Sequence, residues 1–299
     1  MYLEPVPIGK IPAAKQAGEL LHCGGSLAAA RFCDHDGDYN RKYNVYQLTA
    51  GGKSFVLKKS DSCEASIYRD FLRGNGFTVP EYIGSIAHGS ETWLLMEHID
   101  GPDLRKFTTE MAFAAADTLS QIQNTYWNSP IADGRFQRYW ERISKRAECL
   151  KEYPEFSAAY HLFLERQKAI PRTLCSGDFL PCNGIFHAGR VYMIDWGFGG
   201  IMPYALDIAR LIAHGTEEPE PGAFPFRMDA ELRSAFVRAH YERLARKPPW
   251  EQYLMDIKLA ALNEYAEFLE VLINDPETSP KEIKSNFYYR RAEETAKAL

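Results

Sequence analysis

The spacing of apolar residues changes along the chain and divides it into two parts. In the first part the apolar residues form short runs, such as residues 93–96, with glycine-containing turns between them. Such runs predict strands, and residues 62–72 have helical spacing with Ser62 as the expected N-cap. Helical spacing then dominates residues 104–127, 136–150, 156–169, 229–245, 250–273 and 279–299. The pattern predicts an α+β fold, with a small sheet-containing lobe at residues 1–98 and a larger, mostly helical lobe at residues 99–299.

The most informative polar residues lie within residues 175–197. Asp178, Asn183 and Asp195 supply a carboxylate, an amide and a second carboxylate, in that order. Phosphoryl transfer needs these residue types, because a carboxylate accepts the proton of the attacking hydroxyl while amide and carboxylate oxygens hold magnesium. Taken singly, each residue is an ordinary member of a turn or strand end. Together, in the order and spacing of a kinase catalytic loop, they predict a phosphoryl-transfer site.

The residues between Asn183 and the second carboxylate predict a tight hairpin. Two short apolar runs, residues 184–187 and 190–194, surround Ala188 and Gly189. In a two-residue hairpin the last residue of the first run faces the first residue of the second. Counting back from that pair places Asn183 opposite Ile194, and cross-strand neighbours lie about 5–8 Å apart. The sequence therefore predicts that the three oxygen-bearing side chains meet in one site.

These motifs resemble the aminoglycoside phosphotransferase and choline kinase superfamily, relatives of the protein kinases. The catalytic loop of that family reads approximately H-G-D-x-x-x-x-N and is followed by a short hairpin that ends in I-D-W. This chain has residues 176–178 and Asn183, then residues 194–196, and residues 200–209 are similar to the segment G-x-P-x-x-D-L-A. The resemblance covers nearly the whole chain. It implies a bilobal protein-kinase-like fold, with a small N-terminal antiparallel-sheet lobe.

The resemblance also implies a role for each motif residue. Asp178 would be the catalytic base, Asn183 and Asp195 would bind magnesium, and Asp207 would support the loop from the start of a helix. Ser176 stands where the family usually has histidine. That side chain generally supports the backbone and does not carry the proton, so the substitution does not exclude activity. It leaves the rigidity of the loop open.

The N-terminal part contains candidates for binding a nucleotide. Residues 55–59 predict a buried strand that ends in two lysines, similar to the V-A-I-K strand of kinases, whose lysine holds the α- and β-phosphates. Lys58 and Lys59 point to opposite faces of a strand, so only one can take that role, and Lys58 is our choice. Glu64, on the following helix, resembles the family glutamate that pairs with this lysine.

The transition between the two parts is a candidate hinge. Residues 93–101 predict an apolar strand that becomes polar at its end. In the family this segment binds adenine through backbone groups. By resemblance, Glu97 and Ile99 would offer a carbonyl and an amide, and Met96 would form a wall of the adenine pocket.

Two other segments look like ion or phosphate sites but match poorly. Residues 51–54 resemble the end of a G-x-x-x-x-G-K-[ST] loop, but the first glycine is missing and a strand follows, so they predict a hairpin turn. Residues 34–38 are acidic but lack the terminal glutamate of a calcium loop. Their position before a strand is the place of a phosphate-positioning loop in kinases.

Composition and charge narrow the function only slightly. The 299 residues include 45% hydrophobic and 25% charged residues, which is typical of a soluble globular protein. The net charge of −5 argues against nucleic acid as a partner. The six cysteines have no C-x-x-C pair and predict reduced thiols. We find no targeting or membrane-spanning segment, and therefore expect a cytoplasmic protein.

The sequence thus predicts a kinase that uses ATP and Mg²⁺ and phosphorylates a hydroxyl group of a small molecule. A cationic, aminoglycoside-like acceptor is the first expectation, because the resemblance implies that carboxylates of the C-terminal third surround the acceptor; taken singly, each of them is more typical of a solvated helix face. These carboxylates are Glu217, Glu218, Glu220, Asp256, Glu264, Glu267 and Glu270. A choline, amino-alcohol or sugar kinase and a catalytically impaired nucleotide-binding protein are the alternatives. A protein kinase ranks last, because the D-F-G and A-P-E motifs are missing.

Overall fold

The protein has a mixed α/β fold, and the computed structural model describes residues 2–23, 27–36, 39–131 and 134–299. The chain forms two units. The first consists of Met1–Asp100 together with Trp196–Phe198, and the second of Gly101–Asp195 together with Gly199–Leu299. No sequence pattern predicted that Trp196–Phe198 belongs with the N-terminal part. Within the described ranges, no helix combines the length and the apolar composition that crossing a membrane requires.

An antiparallel sheet forms most of the first unit. Its strands are β1 (Tyr2–Pro5), β2 (Ala28–Asp36), β3 (Tyr39–Ala50), β4 (Lys53–Ser60), β5 (Tyr82–His88) and β6 (Glu91–Glu97). They are ordered β1-β2-β3-β4-β6-β5. Lys58 pairs with Val45 of β3 on one side and with Leu94 of β6 on the other. The strand that carries the candidate phosphate lysine is therefore an inner strand of the sheet.

The turn between β3 and β4 explains one of the misleading motifs. Ala50 pairs with Lys53, and the residues between them, Gly51 and Gly52, have φ values of +56° and +77°. A two-residue turn with two positive φ values is a common hairpin turn, and glycine adopts it without steric cost. Residues 51–54 therefore form the predicted hairpin turn. Residues 37–38 of the candidate phosphate-positioning loop lie outside the described residues.

Two helices accompany this sheet. Helix α1 spans Ala14–Leu20, and α2 spans Ser62–Ile67 and continues as a π-helical turn at Tyr68–Leu72. The expectation that Ser62 is the N-cap is wrong. Asp61 caps α2 instead, because its side chain accepts a hydrogen bond from the Glu64 amide at 2.8 Å. This cap places Glu64 in the first turn of the helix.

Helices dominate the second unit. They are α3 (Thr109–Tyr126), α4 (Arg135–Cys149), α5 (Pro154–Ala169), α6 (Ala205–Ile212), α7 (Ala230–Arg243), α8 (Trp250–Asn274), α9 (Pro280–Ser285) and α10 (Phe287–Lys297). Two strand pairs complete the unit. They are β7 (Arg172–Cys175) with β10 (Gly200–Pro203), and β8 (Gly184–His187) with β9 (Arg190–Met193).

Two predicted helices have different bounds in the structure. Helix α3 begins at Thr109, not at residue 104, because the Thr108 side chain accepts a hydrogen bond from the Met111 amide at 3.3 Å and caps the helix. The helix predicted at residues 279–299 is two helices. Asn286 has an extended conformation, and its side chain caps α10. Both differences arise from local caps, which apolar spacing does not report.

Helix α8 contributes both apolar and polar side chains to the interior of the second unit. Leu259, Leu262 and Leu269 belong to a large apolar cluster and are at most 1% exposed. The same helix buries Asp256 and Glu264, which are 1% and 2% exposed. Buried carboxylates are costly unless they are paired. The partners of these two residues therefore matter for the site described below.

Gly101 lies where the backbone leaves no room for a side chain. A Cβ atom at this position would come within 2.2 Å of the carbonyl oxygen of Phe186 in β8. Because that atom belongs to a paired strand, we expect Gly101→Ala to lower the unfolding free energy by about 1–3 kcal/mol. Thermal unfolding of the variant measures this effect. Gly9→Ala is the matched control, since no atom lies within 4 Å of its added Cβ, and equal melting temperatures for the two variants would contradict the prediction.

Candidate active site

The hairpin formed by β8 and β9 has the register that the sequence predicted. His187 pairs with Arg190 across a turn at residues 188–189, where both φ values are positive. At the open end of the hairpin, the Ile194 amide donates a hydrogen bond to the Asn183 carbonyl at 3.0 Å. The predicted apposition of Asn183 and Ile194 is confirmed. It brings Asn183 next to the backbone of the second candidate carboxylate.

Asn183 also contacts Asp178 directly. Its Nδ2 donates hydrogen bonds to the backbone oxygen of Asp178 at 2.7 Å and to Oδ2 at 3.0 Å. Since the amide nitrogen makes both contacts, the amide oxygen is directed away from Asp178. Asp195 adopts a φ of +58°, a left-handed conformation that aspartate tolerates better than most residues, and its charge acts on Asp178. The structure therefore brings the three predicted residues together within the second unit.

Asp207, in the first turn of α6, holds the backbone of the candidate catalytic loop. Its Oδ2 accepts a hydrogen bond from the Ser176 amide at 2.7 Å, and its Oδ1 accepts one from the Gly177 amide at 2.9 Å. Burial raises the pKa of Asp207 to about 6, although both amides oppose this rise. The role that the resemblance implied for Asp207 agrees with these contacts.

Ser176 links this anchor to Asp178. The side chain is fully buried, and its Oγ donates a hydrogen bond to Asp207 Oδ1 at 3.2 Å. The same oxygen accepts a hydrogen bond from the Asp178 amide at 3.3 Å. Serine therefore makes structural hydrogen bonds at the position where the family usually has histidine, and the loop is tied to α6 despite the substitution.

Arg210 is a site residue that the sequence reasoning missed. Its Nε and Nη2 lie 2.9 and 2.8 Å from Asp178 Oδ1. Its Nη1 donates a hydrogen bond to Glu264 Oε2 at 2.5 Å and lies 3.5 Å from Glu267 Oε1. A signal was present in the sequence, because Arg210 follows Asp207 by three residues and so lies on the same face of α6.

Burial and charge act against each other at Asp178. Burial raises the pKa of its carboxyl group, Arg210 lowers it, and Asp195 and Glu264 raise it further, so the pKa lies above its ordinary value. Burial also acts to raise the pKa of Glu264, but Arg210 and His214 outweigh it and lower that pKa to about 2. Arg210 is therefore a cation between two largely buried carboxylates.

In the first unit, the candidate phosphate lysine is paired with the predicted glutamate. Lys58 Nζ lies 2.8 Å from Glu64 Oε1, and the Glu64 side chain is only 3% exposed. Ser60 Oγ donates a hydrogen bond to Glu64 Oε2 at 2.6 Å, and the Trp196 amide donates one to Glu64 Oε1 at 3.2 Å. Glu64 therefore orients Lys58 and also binds the residue that follows Asp195 in the chain.

Lys59 has a different environment from Lys58. It lies on the opposite face of β4, where its Nζ lies 2.5 Å from Glu91 Oε1. The Lys59 and Glu91 side chains are 39% and 34% exposed, which is typical of a surface ion pair. Lys58 and Lys59 were both candidates for the phosphate lysine, and of the two only Lys58 forms a pair that resembles the lysine–glutamate pair of kinases.

The end of β6 offers backbone groups at the positions expected of a hinge. Met96 is buried, and the Glu97 amide donates a hydrogen bond to the Glu81 carbonyl at 2.9 Å. The Glu81 amide bonds to Glu97 Oε2 at 3.2 Å instead of to the Glu97 carbonyl. Ile99 is buried, and its amide donates no hydrogen bond to any described residue. A backbone amide that lacks a protein acceptor can donate a hydrogen bond to a ligand.

The carboxylates of the C-terminal third are engaged by neighbouring residues. Arg166 contacts both oxygens of Asp256, at 2.6 and 2.9 Å. Arg146 binds Glu267 at 3.0 Å and Glu270 at 2.9 Å. The loop carboxylates also have partners: Glu217 with the Ala230 amide at 3.3 Å, Glu218 with Arg227 at 3.7 Å and Glu220 with Arg290 at 3.2 Å. Together with Glu264, all seven candidates for binding a cationic acceptor therefore contact protein groups.

The second unit contains oxygen ligands that suit magnesium. Among the described residues, no group of three or more His, Cys, Asp or Glu side chains could hold a metal ion. Magnesium usually takes one or two carboxylates and completes its coordination with water and substrate phosphates. The Asn183 amide oxygen and the Asp195 carboxylate match such a partial ligand set, which fits an ion that binds together with a nucleotide.

Comparison with known proteins agrees with this geometry. The sequence profile of the phosphotransferase enzyme family matches residues 40–247, which is more than half of the chain. Comparison with curated protein sequences gives no significant match.

Solved structures share the fold at low sequence identity. An aminoglycoside phosphotransferase from Alicyclobacillus acidocaldarius is 16% identical, with a TM-score of 0.53 over 89% of each chain. A putative fructosamine-3-kinase from Haemophilus somnus is 13% identical, with a TM-score of 0.54 over 96% of each chain. A choline kinase from Cryptosporidium parvum is 12% identical, with a TM-score of 0.51 over 97% of this chain and 91% of that chain. The predicted protein-kinase-like fold is confirmed. The chain therefore belongs to the phosphotransferase enzyme family and is a phosphotransferase that acts on hydroxyl groups.

Proposed function

We propose that the protein is a kinase that uses ATP and magnesium and transfers the γ-phosphate to a hydroxyl group of a small molecule. The observation that carries this proposal is the contact of Asn183 with Asp178 on a loop that Asp207 holds. A catalytic base needs one defined orientation, because proton transfer requires the acceptor oxygen within hydrogen-bond reach of the hydroxyl. Family membership supports the reaction class.

The first unit would bind the nucleotide. Lys58 would bind the phosphates, and Glu64 would hold the lysine in place through their 2.8 Å ion pair. The Glu97 carbonyl and the Ile99 amide would bind the adenine edge. The Ile99 amide donates no hydrogen bond to a described residue, and the Glu81 amide bonds to the Glu97 side chain and not to its carbonyl. Met96 would form an apolar wall beside the base.

The second unit would carry the chemistry. Asp178 Oδ2 would accept the proton of the acceptor hydroxyl, while its other oxygen stays bound to Arg210. The Asn183 amide oxygen and the Asp195 carboxylate would hold magnesium. When bound, magnesium neutralises negative charge on the phosphate oxygens. Ser176 would keep the loop ordered through its bonds to Asp207 and Asp178.

The proposed acceptor is a small molecule with a hydroxyl group, and its chemical class is left to experiment. The net charge of −5 and the acidic C-terminal third first suggested a cationic acceptor such as an aminoglycoside. The carboxylates that prompted this expectation contact arginines or backbone amides, so they lend it little electrostatic support. Aminoglycosides, choline-like amino alcohols and sugars should therefore all be tested as acceptors.

We also propose a cytoplasmic location, where ATP and magnesium are supplied.

A coupled ADP-release assay over these acceptor classes tests the proposal. We expect ADP release that depends on one acceptor class, stops when EDTA removes magnesium and returns when magnesium is added in excess. Binding of ATP, read as a higher melting temperature, is measured in parallel. A rise in melting temperature without ADP release for any acceptor would favour the catalytically impaired alternative. Labelled phosphate on protein substrates, and not on small molecules, would favour a protein kinase.

A further inference from the structure

Two side chains of α6 reach the candidate catalytic loop from one face of the helix. Asp207 accepts hydrogen bonds from the backbone amides of Ser176 and Gly177. One turn later, Arg210 contacts the carboxylate of Asp178. Residues three apart on a helix are neighbours on its surface. Helix α6 therefore holds the loop backbone with one residue and the carboxylate of the proposed base with the other.

The contacts of Asp178 restrict its side-chain torsion angles. Two nitrogens of Arg210 share Oδ1, at 2.8 and 2.9 Å, and Asn183 Nδ2 donates to Oδ2 at 3.0 Å. The two carboxylate oxygens are thus held from two sides. Since Oδ1 already receives two N–H groups, Oδ2 is the oxygen with room for the proton of an acceptor.

Arg210 is itself held from the side away from Asp178. Its Nη1 bonds to Glu264 Oε2, which also lies 3.3 Å from His214 Nε2. The side chains of Arg210 and Glu264 are 13% and 3% exposed. The guanidinium group is planar, so binding carboxylates on two of its edges fixes its orientation. A lysine carries its three donors on one nitrogen and cannot reproduce contacts made from two separate edges of a planar group.

We propose that Arg210 is a positioning residue for phosphoryl transfer, and that Glu264 holds Arg210 in place. Arg210 fixes the carboxylate of Asp178 so that Oδ2 takes the proton of the acceptor hydroxyl as the phosphate ester forms and ADP leaves. This inference rests on the proposed kinase function. It also assigns Glu264 to the support of Arg210 and not to direct binding of a cationic acceptor.

The alternative is that Arg210 and Asp178 form an ordinary structural ion pair. The chain offers a matched pair for comparison. Arg166 on α5 binds Asp256 on α8 through two contacts of 2.6 and 2.9 Å, and Asp256 is almost fully buried. Neither residue belongs to the catalytic loop. Loss of this pair should affect stability and leave the chemical step unchanged.

The experiment compares Arg210→Met with Arg166→Met in the kinase assay, at a temperature where circular dichroism shows both variants folded. We expect Arg210→Met to lower kcat by about 100-fold, because small misplacements of a reacting group have effects of this size. The KM for ATP should stay within about two-fold, since the loss is confined to the transition state. Arg166→Met should lower the melting temperature and keep kcat within about two-fold of wild type.

Rescue by guanidinium separates positioning from general stabilisation. In Arg210→Gly, guanidinium chloride at low millimolar concentration should restore part of kcat, and methylammonium should not, because only the planar ion has donors on separate edges that match the contacts with Asp178 and Glu264. If Arg210→Met does not fold, Arg210→Lys takes its place, with an expected loss of about ten-fold because one contact is lost. Wild-type kcat in the folded Met or Lys variant would overturn the inference. Absence of phosphate transfer by the wild-type protein would instead overturn the proposed function.

Discussion

Replacing Asp178 with asparagine is expected to lower kcat by about 10²–10⁴-fold, the range attributed to a general base. Asparagine has nearly the same shape, and it can keep the contact with Asn183, but its amide cannot accept the proton of a hydroxyl. The Lys58–Glu64 pair lies in the other unit of the protein. Binding of ATP should therefore be retained.

This expectation is checked by steady-state rates with the acceptor identified in the ADP-release assay, together with calorimetric titration of ATP in the presence of magnesium. Asp117→Asn is the control. Asp117 pairs with Arg243 at the surface, and its side chain is 63% exposed. A wild-type kcat in Asp178→Asn would remove Asp178 from the role of base. A simultaneous loss of ATP binding would point to misfolding or to a role in nucleotide binding.

Replacing Lys58 with methionine is expected to reduce kcat/KM for ATP by about 10²–10³-fold, the effect of removing one preorganised donor from a developing charge. Methionine has a similar length and keeps the apolar contacts of the side chain, so the strand should stay folded. The change removes the positive charge opposite Glu64 and leaves a carboxylate that is only 3% exposed without its lysine. A modest fall in melting temperature is therefore also expected.

Lys59→Met is the matched control for this experiment, because it is the adjacent residue on the same strand. Its partner Glu91 is 34% exposed, and surface ion pairs contribute about 0–1 kcal/mol. Its kcat/KM for ATP should stay within about two-fold of wild type. The reverse result, with a large loss in Lys59→Met and none in Lys58→Met, would show that the other face of β4 binds the phosphates.

The hairpin of the candidate active site illustrates how much of the site could be predicted. Its register followed from a two-residue turn and from the alternation of strand residues, which are properties of neighbouring positions. The same reasoning identified the apposition of Asn183 and Ile194, and the structure confirms it. The helix caps were predicted less well, because Asp61, Thr108 and Asn286 act through single side-chain hydrogen bonds.

The choice between Lys58 and Lys59 could not be made from the local sequence pattern alone. Strand alternation places the two side chains on opposite faces, but it does not indicate which face carries Glu64.

The acidic residues of α8 are a second case in which the local pattern was not sufficient. Their helical spacing is compatible with a face open to a cationic ligand, yet Asp256 and Glu264 are buried and bound to arginines. Those arginines lie 90 and 54 residues away in the chain.

The sequence alone determined the α+β pattern, the hairpin and the order of the carboxylate and amide side chains, because each depends on residues that are close in the chain. The resemblance implied the pairing of Lys58 with Glu64 and the support of the candidate catalytic loop by Asp207, and the structure supplies the contacts for both. Only the tertiary structure revealed that Arg210 joins Asp178 to Glu264. The physical reason is that an ion pair depends on distance in space and on burial. Arg210 lies 32 residues after Asp178. Its spacing from Asp207 places it on the same face of α6, but no local pattern shows that its side chain reaches Asp178.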